Sequence, residues 1–289
     1  MICTLCPRKC GALRTAEAGN GFCGMPETPV MARAMLHQWE EPCLSGARGS
    51  GAVFFSGCVL GCVFCQNGRI SRERFGKPAS AARLREIFRE LVSQGAHNIN
   101  LVSPTPFVPA ILEALEEPPP VPVVWNTGGY ERVETLRMLE GKVQIWLPDM
   151  KYADNGLAKR YSGAGDYFET AAAAILEMYR QSGDYVMEDG LLRRGVIIRH
   201  LLLPGGLDNA KAVLDWTAAS FRPGQVLFSL MSQYTPQPGA EGLLARRVTA
   251  GEYRAALAYM ENLGITDGYR QDSSSAREEY TPDFDLGGI

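Results

Sequence analysis

The chain has 289 residues, of which 46% are hydrophobic and 21% are charged. This composition is typical of a globular protein, and the length allows one barrel-like domain or two smaller ones. The net charge of −3 gives no overall positive field for nucleic acid, no apolar run approaches the roughly eighteen residues of a membrane helix, and the N-terminus lacks a secretory signal pattern. We therefore expect a cytoplasmic protein that binds neither nucleic acid nor membrane and keeps its thiols reduced.

Four cysteines open the chain. Cys3, Cys6, Cys10 and Cys23 follow the spacing C-x2-C-x3-C-x12-C, and Pro7 with the neighbouring glycines permits the tight turns that aim thiolates inward. Four closely spaced thiolates predict a metal site that folds around its ion. Zinc and a second iron–sulfur cluster that relays electrons use the same ligands, so both occupants stay open, with zinc the simpler one. A disulfide framework does not suit a cytoplasmic enzyme.

Cys43 follows this set. It either replaces one of the four ligands or is a buried thiol of the core, which is the commoner role of a free cysteine. Small residues over 46–51 form a linker. The predicted organisation is a Cys-rich metal-binding segment over residues 1–48, a main domain over 49–264 and a C-terminal tail over 265–289. The tail is polar with spaced aromatic residues, and it either folds back over the main domain or stays mobile.

Three further cysteines, Cys58, Cys62 and Cys65, have the spacing C-x3-C-x2-C directly after the apolar run Ala52-Val-Phe-Phe55. In a short loop that leaves a strand, all three thiols can point at one centre. A structural zinc needs four ligands, and no fourth lies nearby in the sequence. In a four-iron four-sulfur cluster, three thiolates leave one iron open, and an open position distinguishes a chemical site from a structural one. The alternative is a group of three buried free thiols.

From residue 52 onward, short apolar runs alternate with segments of helical periodicity. The runs are rich in Val, Ile, Leu and Phe without strict alternation, as expected for parallel strands covered on both faces. They occupy residues 52–56, 98–103, 121–126, 143–148, 195–203 and 225–231. The last helix starts with Thr249 and Glu252 at capping-box spacing and ends at Gly264. Six strand–helix units predict an α/β fold, either a doubly wound sheet or a barrel.

Ligands of parallel α/β proteins bind beyond the carboxyl ends of the strands, and these ends carry polar residues here. Asp149 and Lys151 lie two apart on an extended chain, so they share a face, and burying such a pair is costly unless it is paired or liganded. The alternatives are plain turns, solvated strand ends and, for a lone histidine on an apolar strand, a structural role. The candidates for cofactor binding are Ser103, Thr105, Asn126, Thr127, Asp149, Lys151, Arg199 and His200.

The cysteine loop, with the aromatic Phe64 directly before its third cysteine, resembles the cluster motif of the radical S-adenosylmethionine (radical SAM) superfamily. The resemblance implies a partial (β/α)6 barrel and a four-iron four-sulfur cluster on Cys58, Cys62 and Cys65, with Phe64 beside the cofactors. It implies that S-adenosylmethionine (SAM) chelates the open iron and is cleaved by the reduced cluster to a 5′-deoxyadenosyl radical that abstracts a hydrogen atom. It also implies a reductant such as flavodoxin or ferredoxin.

Three further sequences are similar to the pyruvate formate-lyase activating-enzyme branch of this superfamily, over about residues 50–235. They are Asn126-Thr-Gly, Asp149-Met-Lys-Tyr and Arg199-His ahead of Pro204-Gly. The similarity implies that Asp149 and Lys151 line the cleft for SAM and substrate. Many relatives have a glycine-rich acidic motif after the second strand, where this chain has Ser-Pro-Thr-Pro, so Ser103 and Thr105 become candidates for holding the SAM amino group.

The remaining candidates are assigned by side-chain chemistry within this similarity. The amide of Asn126 and the hydroxyl of Thr127 suit the carboxylate or ribose of SAM. The guanidinium of Arg199 suits the carboxylate, and a neutral imidazole at His200 suits a hydrogen bond near the ribose or the substrate.

Three classes of function remain open at this stage. The first is a radical enzyme that takes a hydrogen atom from a protein, for example from a glycine on an exposed loop of a glycyl radical enzyme that it activates. The second is an enzyme that modifies a small molecule by radical chemistry. The third is a metal-binding regulatory protein whose clusters are structural. An exposed iron that SAM can reach separates the enzymes from the regulatory protein.

Overall fold

The computed structural model describes residues 2–271 and 282–289. Within these residues, ten strands belong to one sheet. The strands are β1 (Val30–His37), β2 (Ser50–Phe55), β3 (Lys77–Pro78), β4 (Ile99–Val102), β5 (Val123–Thr127), β6 (Ile145–Pro148), β7 (Val186–Glu188), β8 (Leu191–Leu201), β9 (Leu227–Met231) and β10 (Gly268–Arg270). The α-helices are α1 (Pro42–Ser45), α2 (Gly68–Ser71), α3 (Ala81–Ser93), α4 (Val108–Ala114), α5 (Val133–Met138), α6 (Asn155–Ser162), α7 (Tyr167–Ser182), α8 (Leu207–Ser220) and α9 (Ala250–Asn262).

The sheet has the order β10-β9-β8-β6-β5-β4-β2-β1-β3, and β7 pairs with β8. Along this order every neighbouring pair from β10 to β2 is parallel, whereas β1 is antiparallel to both β2 and β3, and β7 is antiparallel to β8. Strand order therefore follows chain order, with helical connections between parallel neighbours. The edge strands β3 and β10 are not paired with each other in the described residues, so the barrel is partial, as predicted.

All six predicted strands are confirmed, as β2, β4, β5, β6, β8 and β9. The fifth begins earlier than predicted, at Leu191, because it also forms a hairpin with β7. The turn of this hairpin is Asp189-Gly190, and both residues have positive φ, of 51° and 77°. Such an Asp-Gly pair is a strong hairpin signal that the strand–helix pattern did not use.

Four strands of the sheet were not predicted, namely β1, β3, β7 and β10. β1 lies inside the Cys-rich segment and hydrogen-bonds to β2 across residues 46–51, so the division between residues 48 and 49 falls between two paired strands and stays a prediction. β10 adds a seventh parallel strand after α9. A Cβ at Gly268 would lie 1.9 Å from the Phe228 carbonyl oxygen, so only glycine allows β10 to approach β9 this closely.

Helix ends follow the sequence signals. Ser80 accepts a hydrogen bond from Arg83 N at the start of α3. The predicted capping box of α9 is confirmed, because the Thr249 hydroxyl accepts from Glu252 N and the Glu252 carboxylate accepts from Thr249 N. Among the described residues, no helix is both long and apolar enough to cross a membrane.

Side chains of the parallel strands alternate between a face covered by helices and a concave face. Trp125 and Ile198 belong to the large core that includes the helices, whereas Val124 and Ile197 belong to a separate core on the concave side. The same alternation directs Arg199 towards the concave face. This alternation of side chains determines which of the polar candidates can share a site.

The C-terminal residues 282–289 lie along the outer edge of the sheet. Ala34 N donates to Gly287 O at 2.9 Å, and Leu286 N donates to Ala32 O at 3.0 Å. Residues 272–281 of the predicted tail lie outside the described residues. The described end of the tail therefore rests on β1.

Candidate active site

The loop that carries Cys58, Cys62 and Cys65 leaves the carboxyl end of β2 and lines a cleft of about 430 Å³. Cys62 is 6% exposed, and the other two cysteines are half-buried. Gly57 enters the loop with a φ of 75°, and a Cβ there would lie 2.3 Å from the Met25 side chain. Glycine is required both for this turn and for the close approach of the N-terminal segment.

Burial dominates the electrostatics of the Cys58 and Cys62 thiols. It raises the pKa of Cys58 to about 12, with further contributions from Cys62 and Cys65. Burial also raises the pKa of Cys62, and the positive charge of Lys151 acts in the opposite direction. The Ser162 hydroxyl donates a hydrogen bond to the Cys62 sulfur at 3.0 Å. The thiolate forms of Cys58 and Cys62 are unfavourable by themselves, so a metal that takes up their charge would stabilise the loop.

The arrangement of the thiols fits a cluster better than a single ion. Within residues 2–271 and 282–289, no three His, Cys, Asp or Glu side chains are grouped so that they could hold one metal ion. In a four-iron cluster each thiolate binds a different iron, so its ligands lie farther apart than those of one ion, and the three thiols here all line the same cleft. Three cysteines with a hydrogen bond directed at sulfur are a donor set that suits such a cluster.

Phe64 helps to build the wall of the cleft beside the cysteines. It is 7% exposed and packs edge-on against Tyr152, Tyr161 and Tyr234, with ring centroids 6.4, 6.2 and 6.5 Å away. These contacts keep the cysteine loop in an apolar setting at one end of the cleft.

A charged network occupies the concave face beyond the cysteines. Arg199 donates from Nε to Asp149 Oδ1 at 2.9 Å and from Nη2 to Asn126 Oδ1 at 2.6 Å, and Lys151 Nζ lies 2.5 Å from Asp149 Oδ2. Burial disfavours the charge of Asp149, but Arg199 and Lys151 outweigh it and hold its pKa below the usual range. The four side chains all line the cleft, where sequence placed them.

The acidic partner that completes this network was missed by sequence reasoning. Glu40, in the connection between β1 and α1, accepts from Asn100 Nδ2 at 3.0 Å and from Asn126 Nδ2 at 3.2 Å through Oε1. Its Oε2 accepts from Arg199 Nη1 at 3.3 Å. Three N–H groups of the Arg199 guanidinium are thus engaged by protein groups, and its contact with the SAM carboxylate stays a prediction.

Glu41 is a second missed carboxylate. It is 8% exposed and lines the cleft, and its Oε2 has no hydrogen-bond partner. Burial raises its pKa to about 6. The signal was available, because two consecutive acidic residues precede Pro42 at the start of a short helix, yet nothing local indicated that the chain would turn into the cleft.

Two of the predicted cofactor-binding side chains lie behind the sheet. Thr105 is 2% exposed, and its hydroxyl donates to buried Glu131 Oε1 at 2.6 Å. His200 is 1% exposed, its Nδ1 lies 2.7 Å from Met150 O, and burial lowers its pKa to about 4, which keeps it neutral. Neither lines the cleft, and their proposed contacts with SAM stay predictions.

Thr127 contacts both the cleft and the helix-covered side of the sheet. It lines the cleft at the end of β5, while its hydroxyl donates to Glu131 Oε1 at 2.5 Å on the other side. Ser103, at the end of β4, also lines the cleft and has a φ of 57°. A non-glycine residue in this left-handed region costs roughly 1–2 kcal/mol, and such strain concentrates at ligand sites.

The N-terminal cysteines lie beside the cysteine loop. Cys3, Cys6 and Cys23 are partly buried, and Cys10 is exposed. Burial raises the pKa of Cys6 to about 12, and the neighbouring Cys23 and Cys3 contribute to the rise. The Cys23 carbonyl oxygen lies 3.0 Å from the point that a Gly57 Cβ would occupy, so the two cysteine segments are in direct contact.

Cys43 is separated from this set. It is 1% exposed and belongs to the core of the concave side with Leu44 and Ile197, a core that contains none of the N-terminal cysteines. Burial raises its pKa to about 11. These surroundings agree with the buried core thiol and give it no metal partner among the described residues.

Residues 52–208 match the family model of the radical SAM superfamily. An uncharacterized protein of Methanocaldococcus jannaschii is 30% identical over 278 residues, which cover 91% of this chain and 75% of that protein. The family match covers more than half of the chain, and its range includes Cys58, Cys62 and Cys65.

Solved structures agree on the fold. Streptococcus suis SuiB bound to S-adenosylmethionine has a TM-score of 0.51 at 13% identity over 74% of this chain and 48% of SuiB. SuiB bound to its precursor peptide SuiA has a TM-score of 0.54 at 12% identity over 74% of this chain and 46% of SuiB. The chain therefore spans about half the length of SuiB, and at this identity the likeness concerns the fold alone.

Proposed function

The chain belongs to the radical SAM superfamily, and from that premise we propose that Cys58, Cys62 and Cys65 hold a four-iron four-sulfur cluster that cleaves SAM reductively. Superfamily membership implies an enzyme, and its members typically use such a cluster with SAM. The observation that carries the proposal is that one buried and two half-buried thiols of a single loop line a cleft that charged side chains also line. When bound, the cluster supplies one electron to the sulfonium, whose carbon–sulfur bond breaks to give methionine and a 5′-deoxyadenosyl radical.

The residues of the chain bind and orient the reactants in this proposal. Ser162 donates a hydrogen bond to the Cys62 sulfur, which stabilises the thiolate form that a metal requires. Lys151 acts on the same sulfur electrostatically and is itself held by Asp149. Arg199 fixes both Asn126 and Asp149, so the second N–H of the Asn126 amide and the remaining lone pairs of the Asp149 carboxylate form a preorganised polar surface for the polar groups of SAM.

The backbone of β4 supports a role for Ser103 in holding the SAM amino group. Its left-handed conformation occurs where many relatives carry glycines, and it lies within hydrogen-bonding distance of β5, since Ser103 N donates to Asn126 O at 2.9 Å. Glu41 adds a carboxylate with a free oxygen on the same cleft, and a carboxylate is a suitable acceptor for an ammonium group.

For the substrate, we propose a protein or peptide, with hydrogen abstraction from a glycine as in the activating-enzyme branch. The supporting features are the sequences around Asn126, Asp149 and Arg199, and a cleft rim that carries Trp39, which is 59% exposed, together with Gln233. SuiB, which shares the fold, binds a precursor peptide. The electron is proposed to come from flavodoxin or ferredoxin.

We also propose that Cys3, Cys6, Cys10 and Cys23 hold a second metal centre, with zinc as the first choice and an iron–sulfur cluster as the alternative. Among the described residues no three of these thiols are grouped around one point, so zinc would have to draw them together as it binds. The support is the spacing of the four thiols and the shared burial that raises the pKa values of Cys6 and Cys23. Metal analysis of the purified chain tests this directly. One zinc per chain, or iron beyond four per chain, supports the site, and four reactive thiols without either metal contradict it.

The decisive experiment for the main proposal is reductive SAM cleavage by the anaerobically reconstituted chain. We expect Cys58→Ala, Cys62→Ala and Cys65→Ala each to abolish 5′-deoxyadenosine formation, because each removes one iron ligand. Cys43→Ala is the matched control, since it removes a buried cysteine outside the loop and should leave cleavage intact. Cleavage that persists in the three loop variants contradicts the proposal.

The substrate class is tested separately. The reconstituted chain is incubated with SAM, a reductant and candidate glycyl radical enzymes, and electron paramagnetic resonance is recorded. A persistent carbon-centred radical on the partner supports the activating role. SAM cleavage without any radical on a protein, but with modification of a small molecule, favours the second class of function.

A further inference from the structure

Arg8 connects the N-terminal cysteine segment to the cysteine loop. It stands between Cys6 and Cys10, and its side chain reaches over the backbone between Cys58 and Cys62. There the guanidinium donates from Nε to Val59 O at 2.6 Å and from Nη2 to Leu60 O at 3.1 Å. These two carbonyls belong to the three residues that separate the first two cluster cysteines.

The same guanidinium holds a second segment of the chain. Arg8 Nη1 donates to Gly163 O and Nη2 donates to Ser162 O, both at 2.5 Å. Both residues end helix α6, where carbonyl groups lack helical partners and carry partial negative charge, so a cation is favourable there. Ser162 is also the residue whose hydroxyl donates to the Cys62 sulfur. Arg8 thus fixes both the loop and the group that hydrogen-bonds to its sulfur.

Aromatic rings fix the guanidinium plane. The Arg8 Cζ lies 3.9 Å from the ring centroid of Phe22 and 5.4 Å from that of Tyr130. Phe22 precedes Cys23 in sequence, and its ring lies 3.5 Å from the position of a Cβ on Gly61. Arg8, between Cys6 and Cys10, and Phe22, next to Cys23, therefore both contact the loop.

We propose that Arg8 is a positioning residue for the catalytic cluster, through which the N-terminal cysteine segment sets the geometry of the Cys58–Cys62 loop. This inference rests on the proposed function. Four carbonyl groups on two segments match the planar fork of a guanidinium, which presents five N–H donors in fixed directions. An ammonium group lacks this fork, so lysine cannot replace Arg8.

We expect Arg8 to influence the cluster because groups outside the ligand shell orient the ligands and tune the properties of iron–sulfur clusters. Without Arg8, the carbonyls of Val59 and Leu60 lose their donors, and the Ser162 backbone is released at the same time. The Cys62 sulfur would then change both its orientation and its hydrogen bond. The expected signature is therefore spectroscopic, besides any loss of stability.

The test compares Arg8→Lys and Arg8→Ala with Arg85→Ala in the full-length, anaerobically reconstituted chain. Arg85 is the matched control because it also donates to backbone carbonyls, to Ala114 O at 3.2 Å and Glu113 O at 2.7 Å, outside both cysteine segments. The measurements are the electron paramagnetic resonance spectrum of the reduced cluster with and without SAM, the rate of iron loss to a chelator, and the thermal unfolding midpoint.

We expect both Arg8 variants to show an altered cluster spectrum and roughly tenfold faster iron loss, the lower end of the effect of outer-shell changes on metal sites. Arg85→Ala should lower the unfolding midpoint only. Cluster spectra and iron loss in Arg8→Lys and Arg8→Ala that equal those of the wild type, whatever the unfolding midpoint, overturn the inference. If Arg8→Ala fails to fold, Arg8→Lys carries the test. A wild-type chain without a SAM-responsive cluster fails the proposed function itself, so the two failures are distinguishable.

Discussion

Two carboxylates, the partly exposed Asp149 and the buried Glu131, lie on opposite faces of the sheet, and their surroundings differ in kind. Asp149 on the concave face is held by two cations, Arg199 and Lys151, which lower its pKa. Glu131 on the helix-covered face is 1% exposed and accepts only from neutral groups, and burial raises its pKa. The concave face is therefore organised around charge, which suits a polar cofactor, whereas the opposite face is organised around the exclusion of charge.

The neutral donors to Glu131 explain why some of the polar candidates for SAM binding lie behind the sheet and not in the cleft. Its Oε1 accepts from Thr105, Thr127 and Trp125, at 2.6, 2.5 and 3.4 Å, while its Oε2 has no partner. The hydroxyls that looked suitable for SAM are therefore already used to satisfy a buried carboxyl group. A strand alternation of two residues is enough to assign neighbouring polar residues to different tasks.

The largest effect is expected from Asp149→Asn. The substitution leaves Arg199 and Lys151 buried without their shared carboxylate, which costs about 3–5 kcal/mol in the free energy of unfolding for a broken buried pair. Because the same residues line the cleft, SAM cleavage should fall roughly 100-fold through misplacement of the reactants. Denaturant unfolding and 5′-deoxyadenosine assays measure the two losses. An unchanged free energy of unfolding would show that the network is not a buried ion pair.

A smaller effect, which changes with pH, is expected from Glu131→Gln. Since the folded-state pKa of Glu131 is raised, its contribution to stability is full below its unfolded pKa and is lost as pH rises through the folded value. The glutamine variant should lose about 1 kcal/mol at the acid end and recover relative to wild type as pH rises. By contrast, the Asp149→Asn deficit should stay constant from about pH 5 to pH 8, because a carboxylate of lowered pKa is ionised throughout.

The comparison of these two variants is sharper than either variant alone. Unfolding free energies of wild type, Glu131→Gln and Asp149→Asn are measured across the same pH range. Parallel curves for the two variants would mean that the two faces do not differ electrostatically. Curves that converge with wild type only for Glu131→Gln support the account.

The smallest effect, and the only stabilising one, is expected from Ser103→Gly. Ser103 has a φ of 57°, which glycine adopts without strain, so the variant should gain up to about 1 kcal/mol in the free energy of unfolding. Thermal unfolding measures the gain. Weaker SAM binding in this stabilised variant would support a role of the serine side chain in holding SAM. Equal binding would show that the side chain is not needed and that only the backbone at this position could contribute.

Local patterns in the sequence were sufficient for the strands and for the cysteine loop. The six predicted strands are short apolar runs, and the loop spacing with Phe64 is a local motif, so both could be predicted, whereas the short seventh parallel strand, β10, could not. The capping box of α9 is local for the same reason. What these features share is that their information lies within a few neighbouring residues.

The residues that were missed depend on contacts between distant parts of the chain. Glu40 and Arg199 are 159 positions apart, and Arg8 and Gly163 are 155 apart. Nothing in the local pattern around Glu40 or Arg8 indicates a buried partner, since both lie in irregular segments with no strand or helix period. β1 was not predicted because its apolar pattern lies between Cys23 and Cys43, in a segment whose cysteine spacing indicates a metal site.

The central claim is that one iron of a cluster on Cys58, Cys62 and Cys65 is open to SAM. The most direct measurement is the electron paramagnetic resonance spectrum of the anaerobically reconstituted, reduced chain before and after addition of SAM. The account predicts that SAM changes the spectrum and that 5′-deoxyadenosine forms in the same sample. A reduced cluster whose spectrum does not respond to SAM, with no 5′-deoxyadenosine formed, would contradict it.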